Sequence, residues 1–129
     1  MHELLINCLF VGCGGAIGSA LRYLFGFIPL PAVSGFPLTT FLVNLIGSFV
    51  IGLIVGCISS YGSIDQHLRL FLQVGICGGF TTLSTFSLET TGLLQSGSTA
   101  MAFAYVAATV IICVAGTFAA QMLVGRIAS

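Results

Sequence analysis

Hydrophobic residues fall into four long runs along this chain, separated by short polar or proline-rich stretches. The runs cover residues 4–27, 38–58, 70–94 and 100–124. Each run reaches the roughly 20 residues with which an α-helix crosses the hydrocarbon core of a bilayer. Because backbone hydrogen bonds in lipid must be made internally, the pattern predicts an all-α membrane protein. Four transmembrane helices would form a single domain of residues 1–129.

Polar and helix-breaking residues predict where the helices are connected. Pro29, Pro31 and Pro37 cluster between the first two runs, where proline favours a turn. Residues 59–69, SSYGSIDQHLR, are the most polar stretch and are expected to form a solvent loop, whereas residues 95–99, QSGST, predict a tight turn. The N-terminus lacks the positive residues of a signal peptide, so the first run is expected to be retained as a helix.

The composition agrees with a membrane protein and narrows the classes of function. Hydrophobic residues make up 57% of the chain and charged residues 5%, against about 25% charged residues in soluble domains. The three basic and three acidic residues cancel, which excludes nucleic acid as a natural partner because phosphate binding needs a basic surface. The five cysteines have no Cys-x-x-Cys spacing and are interpreted as small buried hydrophobes. No nucleophile is paired with a base, so an enzyme is not expected.

The few charges give only a weak signal for orientation in the membrane. With four spans, Arg69 and Arg126 would lie on one side of the bilayer and Arg22 on the other. Insertion in both orientations is compatible with this bias, and it would make an antiparallel dimer possible. Small residues at four-residue spacing, such as Gly14 and Gly18, let helices approach closely, either within one subunit or between subunits.

Polar side chains inside a membrane span are costly and commonly functional. Asn44 lies well inside the second run and either bonds a neighbouring helix or lines a pore as a donor. Arg22 lies near the end of the first helix and either faces the ion pathway or extends to the interface. Polar residues also recur every four positions in the fourth run, at Tyr105, Thr109, Cys113, Thr117 and Gln121. Neighbouring members share a helix face, which either lines a pore or bonds its own helix.

The third run carries the densest polar signal. Gly78 and Gly79 are followed by Thr81 and Thr82, and these pairs weaken a helix. The pattern predicts a third helix broken in mid-membrane, with a simple kink as the alternative. A break frees carbonyls that suit a cation and a helix N-terminus that suits an anion. Together the spans offer many donors and one carboxylate, Glu89, which favours a small anion that accepts hydrogen bonds.

Three segments resemble the Fluc/CrcB family of bacterial fluoride channels, and the resemblance covers essentially the whole chain. The segments are GGAIGSALRY at residues 14–23, PLTTFLVNLIGSFVIG at 37–52 and GICGGFTTLSTFSLE at 75–89. The last is the most specific. The resemblance implies passive export of fluoride across the bacterial inner membrane. It also implies an antiparallel, dual-topology homodimer with two pores and a structural sodium ion at its centre.

The same resemblance implies which residues act. Sodium would be held by the backbone carbonyls of Gly78 and Thr81. The implied pore residues are Arg22, Thr40, Asn44, Phe80, Leu83, Ser84, Thr85, Phe86, Glu89, Tyr105 and Thr109. Leu83 stands where the family has its first pore phenylalanine, so only Phe86 of that ring pair remains. Phe80 is the candidate replacement for the missing ring, and a heterodimer with a second, different subunit is the alternative.

Two other functions are compatible with four small helices. A proton-coupled multidrug exporter needs a membrane carboxylate among aromatic residues near the first helix. Glu3 lies at the very start and tryptophan is absent, so Glu89 is the only candidate. A structural assembly protein such as a holin would need neither Asn44 nor the threonine and serine cluster. The fluoride channel therefore remains the preferred function.

Overall fold

The chain is entirely helical, apart from short connections, in a computed structural model that describes all residues Met1–Ser129. Four helical spans are long and apolar enough to cross a membrane: His2–Phe25, Leu38–Tyr61, Gln66–Gln95 and Thr99–Ala128. The first two are continuous α-helices, α1 (His2–Phe25) and α2 (Leu38–Tyr61). The prediction of an all-α, multi-pass membrane protein with four spans is thus confirmed.

The third span is interrupted in its middle. It consists of α3 (Gln66–Arg69), a π-helix (Leu70–Cys77), α4 (Gly78–Phe80) and α5 (Leu83–Gln95). Between α4 and α5, Thr81 and Thr82 are extended, with φ and ψ of −74° and 159° at Thr81 and of −149° and 114° at Thr82. The predicted break is therefore present, one residue after the paired glycines. β-Branched threonine is readily accommodated in this extended backbone.

Glycines bring the helices together as two closely packed pairs. Helix α1 packs along residues 66–80, and α2 packs along the last helix, α6 (Thr99–Ala128), which α5 also contacts. A Cβ at Gly79 would lie 2.6 Å from the carbonyl oxygen of Gly15, and a Cβ at Gly75 would lie 2.8 Å from the Cα of Gly14. These small residues therefore serve packing within one subunit.

Two details differ from the sequence predictions. The polar loop is shorter than residues 59–69, because α2 continues to Tyr61 and α3 starts at Gln66. Asp65 begins that helix by accepting hydrogen bonds from the backbone N–H groups of His67 and Leu68, at 2.8 and 3.1 Å.

Most cysteines are also not buried: Cys8, Cys13 and Cys57 are exposed, and only Cys77 is fully enclosed. An apolar thiol is tolerated on a face that contacts lipid.

Candidate ion pathway

Asn44 connects α2 to the extended break. Its Oδ1 accepts a hydrogen bond from the Thr82 N–H at 2.8 Å, and its Nδ2 donates to the Thr82 carbonyl at 3.1 Å. The side-chain amide thus satisfies both backbone groups of a residue that has left the helix. Of the two interpretations left open for Asn44, the bond to another helix is present. One N–H of the amide makes no bond within the chain and remains a free donor.

The Thr82 side chain organises the start of α5. Its Oγ1 accepts from the backbone N–H of Thr85 at 3.2 Å, which is the usual arrangement of a helix N-cap. The same hydroxyl lies 3.0 Å from the Thr85 Oγ1 and 3.3 Å from the Ser84 Oγ. The predicted site residues Ser84 and Thr85 are therefore brought together at the N-terminus of the second half-helix.

The break leaves two carbonyls without their helical donors. In a continuous helix the Thr82 N–H would donate to Gly78 and the Thr85 N–H to Thr81. Here those two N–H groups donate to Asn44 Oδ1 and Thr82 Oγ1 instead. Gly78 is also exposed at the surface of the chain. Free carbonyl oxygens suit a hard cation, so the arrangement at Gly78 and Thr81 fits the predicted sodium ligands.

Glu89 lies in a network that joins three helices. The Thr40 hydroxyl of α2 donates to Glu89 Oε1 at 2.8 Å, and the Tyr105 hydroxyl of α6 donates to Glu89 Oε2 at 2.7 Å. Tyr105 is fully buried, with 0% of its surface exposed. Both carboxyl oxygens are therefore occupied by partners from the chain itself. The geometry ties α5 to α2 and α6.

Aromatic rings continue this network toward the break. The Phe86 ring lies 5.0 Å from that of Tyr105, and Phe36 approaches Tyr105 edge-on at 5.3 Å. Leu83 points outward and is 76% exposed. Phe80 lies apart from them, packed edge-on against Phe25 at 6.2 Å. The structure thus does not bring Phe80 beside Phe86 within one chain.

Two clefts meet at Thr82, which lines both of them. The larger cleft has a volume of about 440 Å³. Its lining includes Asn44, Gly78, Thr81, Leu83, Phe86 and Thr109. The smaller cleft, of about 290 Å³, is lined by Arg22, Thr40 and Thr85 among others. The predicted pore residues are therefore divided between the two clefts, with Arg22 in the smaller one, whereas Phe80, Ser84, Glu89 and Tyr105 line neither.

The polar stripe on α6 divides into residues with different surroundings. Thr109 is part of the larger cleft's lining, and its hydroxyl is buried without a hydrogen bond. Thr117 instead donates to the Ser48 carbonyl of α2 at 2.9 Å, so it joins two helices.

Gln73 was not predicted as a site residue, although it lines the larger cleft and accepts from Arg69 Nε at 3.3 Å. An amide inside an apolar run was the signal that could have identified it.

Comparisons with known proteins agree on one family. The family model described as CrcB-like protein, Camphor Resistance (CrcB), matches residues 9–121. A protein of Ruminiclostridium cellulolyticum named fluoride-specific ion channel FluC is 41% identical over 100% of this chain and 99% of its own length. Proteins of the same name from Caulobacter sp. and Anaeromyxobacter dehalogenans are 44% and 45% identical, over 94% and 96% of this chain and 96% of their own length in each case. The chain therefore belongs to the CrcB-like protein family.

Proposed function

We propose that this chain forms a fluoride-selective channel that exports fluoride passively across the bacterial inner membrane. The observation that carries the proposal is the pair of donor-lined clefts that meet at Thr82, in a membrane span with no unoccupied carboxylate. The names of the relatives support fluoride as the ion, and they designate an ion channel rather than an enzyme. This agrees with the expectation from the sequence.

Selectivity for fluoride would arise because the clefts replace water with hydrogen-bond donors. A small anion loses its hydration shell only where protein donors reproduce those bonds. The free N–H of Asn44 and the unpartnered hydroxyl of Thr109 are such donors on the larger cleft. The positive edge of the Phe86 ring adds a weaker contact, and Arg22 attracts anions into the smaller cleft.

The working unit would be an antiparallel, dual-topology homodimer with two pores. The larger cleft is open along one side of the chain, where Leu83 is 76% exposed, and a second copy would close it. The weak arginine bias between Arg69, Arg126 and Arg22 supports insertion in both orientations. Leu83 would then face the partner, so a heterodimer whose other subunit supplies an aromatic ring is the alternative assembly.

A structural sodium ion at the dimer centre completes the proposal. Gly78 and Thr81 of two copies would supply four carbonyl oxygens around a two-fold axis. Hard oxygen ligands of this kind suit sodium, and no cluster of histidine, cysteine, aspartate or glutamate offers a competing site. The ion would hold the two breaks against each other and balance the carbonyl dipoles that the broken helices leave exposed.

A multidrug exporter is less compatible with the surroundings of Glu89. A proton-coupled carboxylate must be free to bind substrate or proton in turn, whereas Thr40 and Tyr105 occupy both oxygens of Glu89.

The decisive experiment is efflux from liposomes that contain only this chain. We expect fluoride to leave without a proton gradient while chloride is retained. Equal rates for the two anions would contradict a fluoride channel, and flux that requires a proton gradient would indicate an exporter.

A further inference from the structure

The extended residue Thr82 poses a hydrogen-bonding problem that its own helix does not solve. Thr82 is 7% exposed and lies in the middle of a membrane span. In such surroundings a backbone N–H and carbonyl need partners within the protein. The preceding residue closes its helix locally, because the Thr81 N–H and hydroxyl both donate to the Cys77 carbonyl, at 3.0 and 2.9 Å. That local cap leaves Thr82 unsatisfied.

Asn44 supplies both missing partners from a different helix. Its amide accepts from the Thr82 N–H at 2.8 Å and donates to the Thr82 carbonyl at 3.1 Å. The side-chain amide therefore bonds two successive peptide groups, the one before Thr82 through its N–H and the one after it through its carbonyl. An apolar side chain at residue 44 would provide neither, and the Thr82 N–H would then have the Gly78 carbonyl as its nearest alternative acceptor along the helix.

We propose that Asn44 is a positioning residue that holds the third span open at Thr82 and thereby releases the Gly78 carbonyl. The proposal deepens the proposed function and rests on it only for the ion that this carbonyl would bind. The amide of Asn44 thus links the polar position in the second span to the break in the third span. Its bonded atoms keep the break open, and the residue also lines the larger cleft.

The test compares Asn44→Leu, which has a similar shape without hydrogen bonds, with Ser48→Ala. Ser48 lies one turn farther along α2 and lines the same cleft, but its hydroxyl makes no bond to the break. Threonine-labelled protein is reconstituted in liposomes and studied by solid-state NMR. We expect the Cα and Cβ shifts of Thr81 and Thr82 to move from extended toward helical values in Asn44→Leu alone.

The other threonines distinguish a local effect from general disruption. Thr109 and Thr117 lie on α6, and their shifts should stay unchanged in Asn44→Leu. We also expect the melting temperature of the wild-type assembly to rise with sodium, and this dependence to be lost in Asn44→Leu and kept in Ser48→Ala. Extended shifts at Thr82 that persist in Asn44→Leu would overturn the proposal.

The unsubstituted protein provides a second measurement that does not depend on a variant folding. Asn7 and Asn44 are the only asparagines, so labelling asparagine side-chain nitrogen gives a simple spectrum. Dipolar dephasing between the Asn44 amide nitrogen and the Thr82 carbonyl carbon is expected, and its absence would refute the contact. Neither NMR result depends on fluoride flux. A chain that shows both signatures but carries no fluoride would therefore contradict the proposed function and leave the role of Asn44 intact.

Discussion

Replacing Tyr105 with phenylalanine removes one hydroxyl and leaves the buried ring in place. The hydroxyl donates to Glu89 Oε2 at 2.7 Å, while Thr40 continues to donate to the other carboxyl oxygen. Tyr105 is 0% exposed and Glu89 is half-buried, so the vacated position is largely shielded from bulk water. The variant therefore leaves a half-buried acceptor with one partner fewer, and the structure predicts a cost in folding stability.

The size of that cost follows from the loss of one part-buried hydrogen bond to a carboxylate. A hydrogen bond to a partly buried carboxylate contributes about 1–3 kcal/mol. Since about 1.4 kcal/mol corresponds to a factor of ten, the unfolding equilibrium constant should rise by roughly 5- to 150-fold per subunit. The chain has no tryptophan, so unfolding in mixed detergent micelles would be followed by far-UV circular dichroism.

Two controls separate this bond from a general effect of the substitution. Tyr23→Phe removes the hydroxyl of a ring that is 69% exposed, and it should change the free energy of unfolding by less than about 0.5 kcal/mol. In a Glu89→Leu background, Tyr105→Phe should cost much less than in the wild type, because the hydroxyl has lost its acceptor. Equal costs in the two backgrounds would show that the hydroxyl stabilises the fold through something other than Glu89, and the argument would fail.

The remaining predictions concern transport and topology. Phe86→Ile should lower fluoride efflux by about two- to tenfold through loss of the ring edge, and Leu83→Phe should keep or raise it, both measured per folded dimer. Thr109→Val should reduce efflux without lowering the melting temperature, since its hydroxyl makes no bond in the fold. Lysines added to residues 62–65 should fix one orientation and abolish homodimer activity. Activity that survives a verified single orientation would contradict the antiparallel assembly.

The length of the apolar runs predicted the four spans because it reflects a single dominant constraint. A backbone in lipid must bond internally, and only helices of membrane length satisfy this from local sequence. The break was also foreseeable, since Gly78 and Gly79 precede two β-branched residues. What the sequence could not supply was the partner of the extended residue. Asn44 and Thr82 are 38 positions apart, and their pairing depends on how α2 lies beside the third span.

Helix boundaries were harder to predict than the spans because polar residues occur both at helix ends and in loops. The polar stretch of residues 59–69 was interpreted as a loop because its residues favour solvent. Its first residues nevertheless continue α2 to Tyr61, and Asp65 caps the next helix with its side chain. Polar residues at the membrane surface are equally stable in a helix end and in a loop, so composition alone does not separate the two.

Counting hydroxyl groups in a span does not identify an ion pathway, because threonine and serine commonly bond their own helix. In α5, the side chains of Ser87 and Thr90 donate to the carbonyls of Leu83 and Phe86, at 2.9 and 2.7 Å, and are already satisfied. A donor that can replace water around an anion must lack such a partner and lie on a cleft. Thr109 lines the larger cleft with an unpartnered hydroxyl, and Asn44 lines the same cleft with one N–H that makes no bond within the chain. In the proposed channel we therefore expect the pathway to follow the unpaired donors beside the break rather than the polar residues as a class.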